Sequence, residues 1–416
     1  MSQLKIINAN IFTPTGNCAQ QGHSMSNILH QEDGCIIVTD GIITYMGPMS
    51  DCDAVNSDCE IIDACGKAVL PGFIDSHTHL IFGGFRPDEF SWRLKGDSYM
   101  SIMERGGGIQ STVNSTKTES FESLREKAQW FIDRMSEMGV TTVEAKSGYG
   151  LDFETELKML DVIQSLSEKE DQKVEIISTF LGAHAVPKEY AGRTSEYIDF
   201  IIKKMIPAVK GKAKFFDIFT EKNVFEIDES RTLLEAAKNA GFELKMHADE
   251  IVPLGGAELA AEMKAISADH LLHISDEGIK RMAAENVVAT LLPLTAFALK
   301  EQYAPARKLI DGGAAVALAT DLNPGSCFSG SIPLTIALAC IYMNMSIEET
   351  LVALTLNGAA ALGIADKTGS LEKGKHGDII ILNFDSYNCL PYYVGMNCVQ
   401  TTIRKGKIVS SNASLK

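Results

Sequence analysis

The sequence predicts an α/β protein: a (β/α)8 barrel of the TIM type with a small β-sandwich domain formed by the two chain ends. Three observations predict it. The chain has 416 residues, 45% of them apolar, which suffices for one barrel of about 250–300 residues and a smaller module. Apolar strand patterns alternate with helical patterns through the middle, and both ends carry short strand patterns. We expect residues 1–66 and 367–416 to form the composite β-sandwich domain and residues 67–366 the barrel.

The strand patterns at the two ends are short and bounded by turn residues. They cover residues 5–11, 35–39, 42–46 and 61–63 at the start, and 379–382, 398–403 and 407–409 at the end. Asp40-Gly41 and Lys405-Gly406 each separate two apolar runs, which is typical of hairpin turns. Neither end is large enough to bury a core alone, so we expect the two ends to pack together.

The middle of the chain alternates between β-rich apolar runs and helical patterns. The β-runs are residues 69–75, 141–145, 174–181, 215–219, 243–247, 266–271, 287–293 and 315–321. Helical patterns cover residues 121–138, 154–169, 229–240, 254–262 and 276–284. This alternation predicts a closed parallel barrel. Residues 81–118 separate the first run from its helix, and a segment of this length after a barrel strand is expected over the catalytic face, where it could act as a lid.

Composition excludes several classes of protein. The formal net charge of −16 disfavours nucleic acid and anionic membranes as main partners. The first residues lack the pattern of a signal peptide, and no apolar stretch is long enough to span a bilayer. The nine cysteines form no Cys-x-x-Cys pair, so we expect free thiols in a reducing cytoplasm.

Histidines and carboxylates concentrate at the predicted strand ends. His77 and His79 follow the first β-run, and because side chains alternate along an extended strand, both imidazoles point to the same side. Further polar residues end other runs, namely His184, His247 with Glu250, His270 and Asp321. In a barrel the carboxyl ends of the strands share one rim, where active sites lie. Three histidines and an aspartate would suit zinc or iron there, with room for water.

Several motifs resemble a known family. Pro-Gly-Phe-Ile-Asp-Ser-His-Thr-His at 71–79, the later histidines and Ala-Thr-Asp at 319–321 are similar to the amidohydrolase superfamily. More narrowly, Ser-Gly-Tyr-Gly at 147–150 and Asp-Leu-Asn-Pro-Gly-Ser at 321–326 resemble the imidazolonepropionase family, and the similarity runs over nearly the whole chain. Superfamily members with two metals use a carboxylated lysine at a middle strand end. The fourth run ends at Thr220, and Lys146 lies on the second run, so one metal is expected.

The resemblance implies a reaction and a set of site residues. The family hydrolyses the ring C–N amide bond of 4-imidazolone-5-propanoate to N-formimidoyl-L-glutamate in histidine degradation, using a hydroxide on a single metal ion. One divalent or trivalent ion per subunit, zinc or iron, would be held by His77, His79, His247 and Asp321. Glu250, His270 and Asp321 would be catalytic. The substrate, a small molecule with a carboxylate arm, would contact Arg86, Tyr99, Tyr149, His184, Glu250, Asn323, Gly325 and Ser326.

Two other functions stay open on the sequence. A deaminase of a heterocyclic base would share the His-x-His and His-x-x-Glu patterns, but would not need Arg86 to bind a carboxylate. A non-catalytic scaffold barrel would not need the complete ligand set. The sequence does not fix the oligomeric state, for which a homodimer is our hypothesis.

Overall fold

The computed structural model describes residues 2–52, 59–97, 101, 105 and 107–413. Its first five strands begin a mixed sheet built from both chain ends. They are β1 (Gln3–Thr13), β2 (Leu29–Thr39), β3 (Ile42–Pro48), β4 (Glu60–Asp63) and β5 (Ala68–Pro71). Strand β1 pairs antiparallel with β2 and parallel with β4 and β5. The predicted turn at Asp40-Gly41 is confirmed, with both residues at positive φ.

The next eight strands form the barrel, and each pairs in parallel with its neighbours in chain order. They are β6 (Phe73–Asp75), β7 (Val140–Lys146), β8 (Glu175–Ala183), β9 (Phe215–Thr220), β10 (Glu243–Ala248), β11 (Ser267–His270), β12 (Val288–Leu291) and β13 (Val316–Leu318). The first and last strands meet at the rim, where Thr78 bridges Leu322 and the Asp321 amide donates to the His77 carbonyl at 3.0 Å. This closure places the segments after β6 and β13 side by side.

The last three strands return to the mixed sheet: β14 (Ile379–Leu382), β15 (Val399–Arg404) and β16 (Lys407–Ser411). Strand β14 pairs with β5, which completes a sheet of eight strands. The predicted barrel with a small β-domain from both chain ends is therefore confirmed. The exact division at residues 66/67 and 366/367 stays a prediction.

The predicted first β-run, residues 69–75, is divided between the two sheets. Its first part is β5 of the mixed sheet and its second part is β6 of the barrel. The chain crosses at Gly72, where a Cβ atom would lie 2.3 Å from the Thr141 side chain, so a residue without a side chain is needed.

Helices cover the outside of the barrel. They are α1 (Pro87–Leu94), α2 (Ile109–Thr118), α3 (Phe121–Glu137), α4 (Phe153–Ser167), α5 (Thr194–Phe200), α6 (Ile206–Val209), α7 (Ile227–Ala240), α8 (Gly256–Met263), α9 (Asp276–Glu285), α10 (Pro293–Leu299), α11 (Ala306–Asp311), α12 (Ile332–Tyr342), α13 (Ile347–Leu354), α14 (Leu356–Ala360) and α15 (Cys389–Tyr392). The five predicted helices correspond to α3, α4, α7, α8 and α9. Ser120 and Asp152 cap α3 and α4 by accepting from the backbone N–H of the third helical residue.

The expectation that all nine cysteines are free thiols is wrong for two of them. Cys35 and Cys52 form a disulfide, because the antiparallel pairing of β2 with β3 turns the chain back and brings their Cα atoms within 6.4 Å. The other seven are free. None of the helices in the described ranges is both long enough and apolar enough to cross a bilayer.

Candidate active site

Four predicted metal ligands lie together inside the carboxyl-terminal rim of the barrel. His77 and His79 follow β6, His247 lies near the end of β10, and Asp321 follows β13. Each is at most 3% exposed to solvent. Backbone strain accompanies the site, since Asp321 and the neighbouring His270 have φ values of 54° and 75°. A non-glycine residue in this region costs about 1–3 kcal/mol, and such residues cluster at functional sites.

Three distances among these side chains match those between ligands of a tetrahedral metal ion. His79 Nε2 lies 3.3 Å from His247 Nε2, and Asp321 Oδ1 lies 3.5 Å from His79 Nε2 and 3.6 Å from His77 Nε2. Two ligands bound at about 2.1 Å to a tetrahedral ion lie about 3.4 Å apart. His77 Nε2 and Asp321 Oδ1 are buried and make no hydrogen bond with any described residue. His77, His79 and His247 each offer a ligand atom within 4.8 Å of the others, so they could hold one metal ion, with Asp321 beside two of them.

Two buried carboxylates orient the histidine rings from behind. Asp269 Oδ2 lies 2.6 Å from His77 Nδ1, and Asp217 Oδ2 lies 3.1 Å from His247 Nδ1. Each carboxylate occupies the Nδ1 atom, which leaves Nε2 as the metal-binding nitrogen. Burial lowers the pKa of His77 and His79 well below the ordinary value, so both are neutral and able to bind a metal.

Lys146 is buried inside the barrel and fully paired. Its Nζ lies 2.7 Å from both Glu144 Oε1 and Asp217 Oδ2. Burial alone would lower the pKa of Lys146, but the two carboxylates outweigh it and raise the pKa above its ordinary value. At the end of β9, the Thr220 hydroxyl donates to Ser230 Oγ. Lys146 is therefore engaged by two carboxylates, and the fourth barrel strand ends in a threonine instead of a lysine.

Glu250 and His270 lie next to the metal-binding group. Glu250 Oε1 is 3.5 Å from His270 Nδ1, and the His270 ring centroid is 5.2 Å from that of His247. Burial, with a contribution from the Asp321 carboxylate, raises the pKa of Glu250 to about 8. Glu250 therefore carries a proton at neutral pH. Burial lowers the pKa of His270 well below its ordinary value.

His184 and Tyr149 form one wall beside His79. The His184 ring stacks on His79 with centroids 4.9 Å apart, and the Tyr149 ring lies 5.3 Å from His184. The loop that carries Tyr149 is held by Glu156, whose buried carboxylate accepts backbone N–H groups from Gly148, Gly150 and Leu151 at 2.7–3.2 Å. Both predicted substrate contacts thus adjoin the metal-binding group.

The remaining predicted contacts form a second cluster, which we call the arm corner: Arg86, Asn323, Gly325 and Ser326. Arg86 precedes α1, and the other three lie in the loop after β13. A Cβ atom on Gly325 would lie 2.3 Å from Arg86 Nη1, so only glycine allows this approach. Asn323 Oδ1 accepts from the Gly325 and Ser326 amides at 2.9 and 2.7 Å. Asn323 therefore stabilises the loop after β13.

A cavity lies beside the arm corner. Its volume is about 490 Å³, and its lining includes Arg86, Gly325 and Ser326, together with Phe90 and other mainly apolar side chains. None of the metal-binding residues lines it, so the cavity flanks the site instead of containing it. Tyr99, the remaining predicted contact, lies outside the described residues.

Comparison with known proteins places the chain in a family. The amidohydrolase family matches residues 68–409. An imidazolonepropionase from Phocaeicola vulgatus is 61% identical over 413 residues, covering 99% of this chain and 100% of that protein. One from Clostridium tetani is 55% identical and covers 96% of each. The chain belongs to the imidazolonepropionase branch of the amidohydrolase family. The resemblance inferred from the motifs is thereby confirmed.

Solved structures of more distant amidohydrolase-fold proteins share the architecture. The 5-methylcytosine deaminase from Klebsiella pneumoniae superimposes with a TM-score of 0.74 at 17% identity and covers 99% of both chains. The guanine deaminase of E. coli gives a TM-score of 0.71 at 14% identity and covers 99% of this chain and 100% of that one. At such low identity these likenesses establish the fold alone.

Sequence reasoning missed the groups that support this imidazolonepropionase-family site. Asp217 is the single acid in β9, a mainly apolar strand, and a charge inside a barrel is costly unless it is paired, so this position offered a signal. Asp269 lies among polar residues in β11 and offered none. Glu156 gave no such signal, since an acid in the first turn of a helix is ordinary.

Proposed function

We propose that the chain hydrolyses the ring C–N amide bond of 4-imidazolone-5-propanoate to give N-formimidoyl-L-glutamate, a step of histidine degradation. The observation that carries the proposal is the buried group of His77, His79 and His247, with Asp321 Oδ1 at 3.6 and 3.5 Å from the Nε2 atoms of the first two. Identity of 61% to an imidazolonepropionase over nearly the full chain supports the choice of substrate.

One divalent or trivalent metal ion per subunit, zinc or iron, would be held by His77, His79, His247 and Asp321. Three imidazoles and a carboxylate suit either metal. When bound, such an ion polarises a carbonyl oxygen and lowers the pKa of water. The buried carboxylates behind His77 and His247 keep the ring nitrogens turned toward that position.

The protein's own groups would manage the protons. Water adds to the ring carbonyl carbon, the C–N bond breaks, and the departing ring nitrogen must gain a proton. The Asp321 carboxylate, which would also hold the metal, can accept a proton from the attacking water. Glu250, protonated near neutral pH, can donate to the ring nitrogen. His270 would stabilise the negative charge that develops on the carbonyl oxygen.

The substrate would bind between the two clusters. Arg86 would meet its carboxylate arm, with donors from Ser326 and Tyr99. Asn323 and Gly325 would line the ring or the product, and Tyr149, His184 and Glu250 would contact the ring. We further propose that the protein acts in the cytoplasm on this small molecule without a nucleic-acid partner, in keeping with a net charge of −16. A homodimer remains our hypothesis for its assembly.

The test is a direct ring-opening assay on the purified protein. The loss of imidazolone absorbance is followed with and without a chelator, and cytosine and guanine serve as alternative substrates. We expect turnover of the imidazolone that the chelator abolishes and that added zinc or iron restores. Activity on the bases alone would favour a deaminase, and an inert protein that contains no metal would favour a scaffold.

A further inference from the structure

Arg93, which no motif pointed to, reaches the arm corner from the last turn of α1. Its Nη2 donates to the Gly325 carbonyl oxygen at 2.9 Å. Its Nη1 is buried and has no hydrogen-bond partner in the described part of the chain. No described carboxylate lies within ion-pair distance of it either. A buried guanidinium nitrogen without an acceptor is costly, which indicates that a ligand could supply one.

Arg86, the predicted partner of the substrate carboxylate, is already neutralised by a neighbour. Its Nε and Nη2 donate to Glu89 Oε1 and Oε2 at 2.9 and 2.6 Å, a two-pronged ion pair. Glu89 is only 6% exposed, and its Oε2 also accepts from the Gly108 amide at 3.1 Å. The pair carries no net charge, and it leaves Nη1, on the side of Gly325, as the nitrogen of Arg86 that Glu89 does not engage.

Arg93 supplies the charge that this pair lacks. Two guanidiniums and one carboxylate leave the arm corner with one net positive charge. Burial lowers the pKa of Arg93 from its ordinary value, and the neighbouring Arg86 charge lowers it further, while the Glu89 carboxylate opposes the shift. A substrate carboxylate would relieve this repulsion and provide the missing acceptor.

We propose that Arg93 is a specificity-determining residue of the arm corner: it supplies the net positive charge that selects a carboxylate arm, and it fixes Gly325 beside Arg86. This inference rests on the proposed function, because it assumes that the arm of the substrate enters this corner. The rival explanation is that Arg93 only holds the loop after β13 in place. In that case Arg93 would affect the binding of charged and neutral arms equally.

Binding, measured without turnover, separates the two explanations. The probes are an imidazole that bears a propanoate arm and its propanamide counterpart, which differ in charge but hardly in shape. Isothermal titration calorimetry gives the dissociation constant of each for the metal-loaded wild type, Arg93→Gln and Arg93→Lys. Arg281→Gln is the matched control, since Arg281 lies on the exposed face of α9 and pairs with Glu277.

We expect the wild type to prefer the propanoate, and Arg93→Gln to weaken propanoate binding by about 10- to 100-fold with propanamide binding changed by less than about threefold. Arg93→Lys keeps the charge and should keep most of the preference. It also serves as the test if Arg93→Gln does not fold. Arg281→Gln should match the wild type.

An equal loss for both probes in Arg93→Gln would show a loop-holding role and overturn the inference. An unchanged preference in Arg93→Gln would overturn it as well. If only Arg93→Lys folds, loss of the preference in that variant would overturn it. Equal binding of both probes by a wild type that opens the imidazolone ring would also overturn it. Failure of the proposed function would look different, because the wild type would not open the imidazolone ring at all.

Discussion

The metal-binding group and the arm corner are built in different ways. The metal-binding histidines lie on or directly after barrel strands, and buried carboxylates hold two of the rings at Nδ1. The arm corner is built from the residue before α1, the end of α1 and the loop after β13. Strand ends fix atoms precisely enough for a metal, whereas loops change with little effect on the barrel. The proposed function therefore assigns the chemistry and the selection of the substrate's arm to separate parts of this molecule.

The largest expected effect comes from removing a ligand at the metal end. His247→Ala should abolish metal retention and reduce turnover by about a thousandfold or more, because a catalytic metal supplies several kcal/mol of charge stabilisation. Elemental analysis and the ring-opening assay measure the two effects. His23→Ala, at an exposed position, is the control. A fully active His247→Ala variant would refute this site.

The carboxylate behind His77 should matter for metal affinity more than for chemistry. Asp269→Asn should weaken metal binding by about 10- to 100-fold, because the amide orients and polarises the imidazole less well. Competition with a chromogenic chelator measures this, and activity should recover at saturating metal. The exposed Asp276→Asn variant is the control. Unchanged metal affinity would mean that Asp269 does not support the ligand.

At the arm corner we expect a substitution to weaken substrate binding more than it slows turnover. Arg86→Ala should raise KM by about tenfold or more with a smaller change in kcat, because it removes a carboxylate contact and leaves Glu89 unpaired near the arm. Steady-state kinetics measures the split, with exposed Arg134→Ala as control. If Arg86→Ala lowered kcat and left KM unchanged, Arg86 would not act through substrate binding, and the proposed difference between the two regions would be wrong.

The smallest effect is expected from a single added methyl group. Gly325→Ala places a Cβ atom 2.3 Å from Arg86 Nη1, so Arg86 must shift. Overpacking of this kind costs about 1–3 kcal/mol, and we expect KM to rise by about three- to tenfold with metal content unchanged. Gly330→Ala is the comparison for lost glycine, since its φ is not positive and its Cβ would meet only ordinary contacts at 3.5–4.0 Å. An unaffected KM would show that Arg86 adjusts freely.

The sequence predicted the barrel and the metal-binding group because both depend on local patterns. Apolar runs marked the strands, and polar residues at their ends, such as His77 and Asp321, marked the rim. The supporting contacts depend on which distant strands become neighbours. Asp269 reaches His77 across 192 positions of sequence, and Arg93 reaches Gly325 across 232. The crossing of the chain at Gly72, where β5 pairs with β1 and β6 pairs with β7, was unpredictable for the same reason.

The central claim is that one metal ion occupies the group formed by His77, His79, His247 and Asp321. Anomalous X-ray scattering, recorded at the absorption edges of zinc and iron on crystals of the metal-loaded protein, locates it directly. We predict a single peak within about 2.0–2.2 Å of the three Nε2 atoms and Asp321 Oδ1. A peak elsewhere, or a second peak beside Lys146 or Thr220, would contradict it.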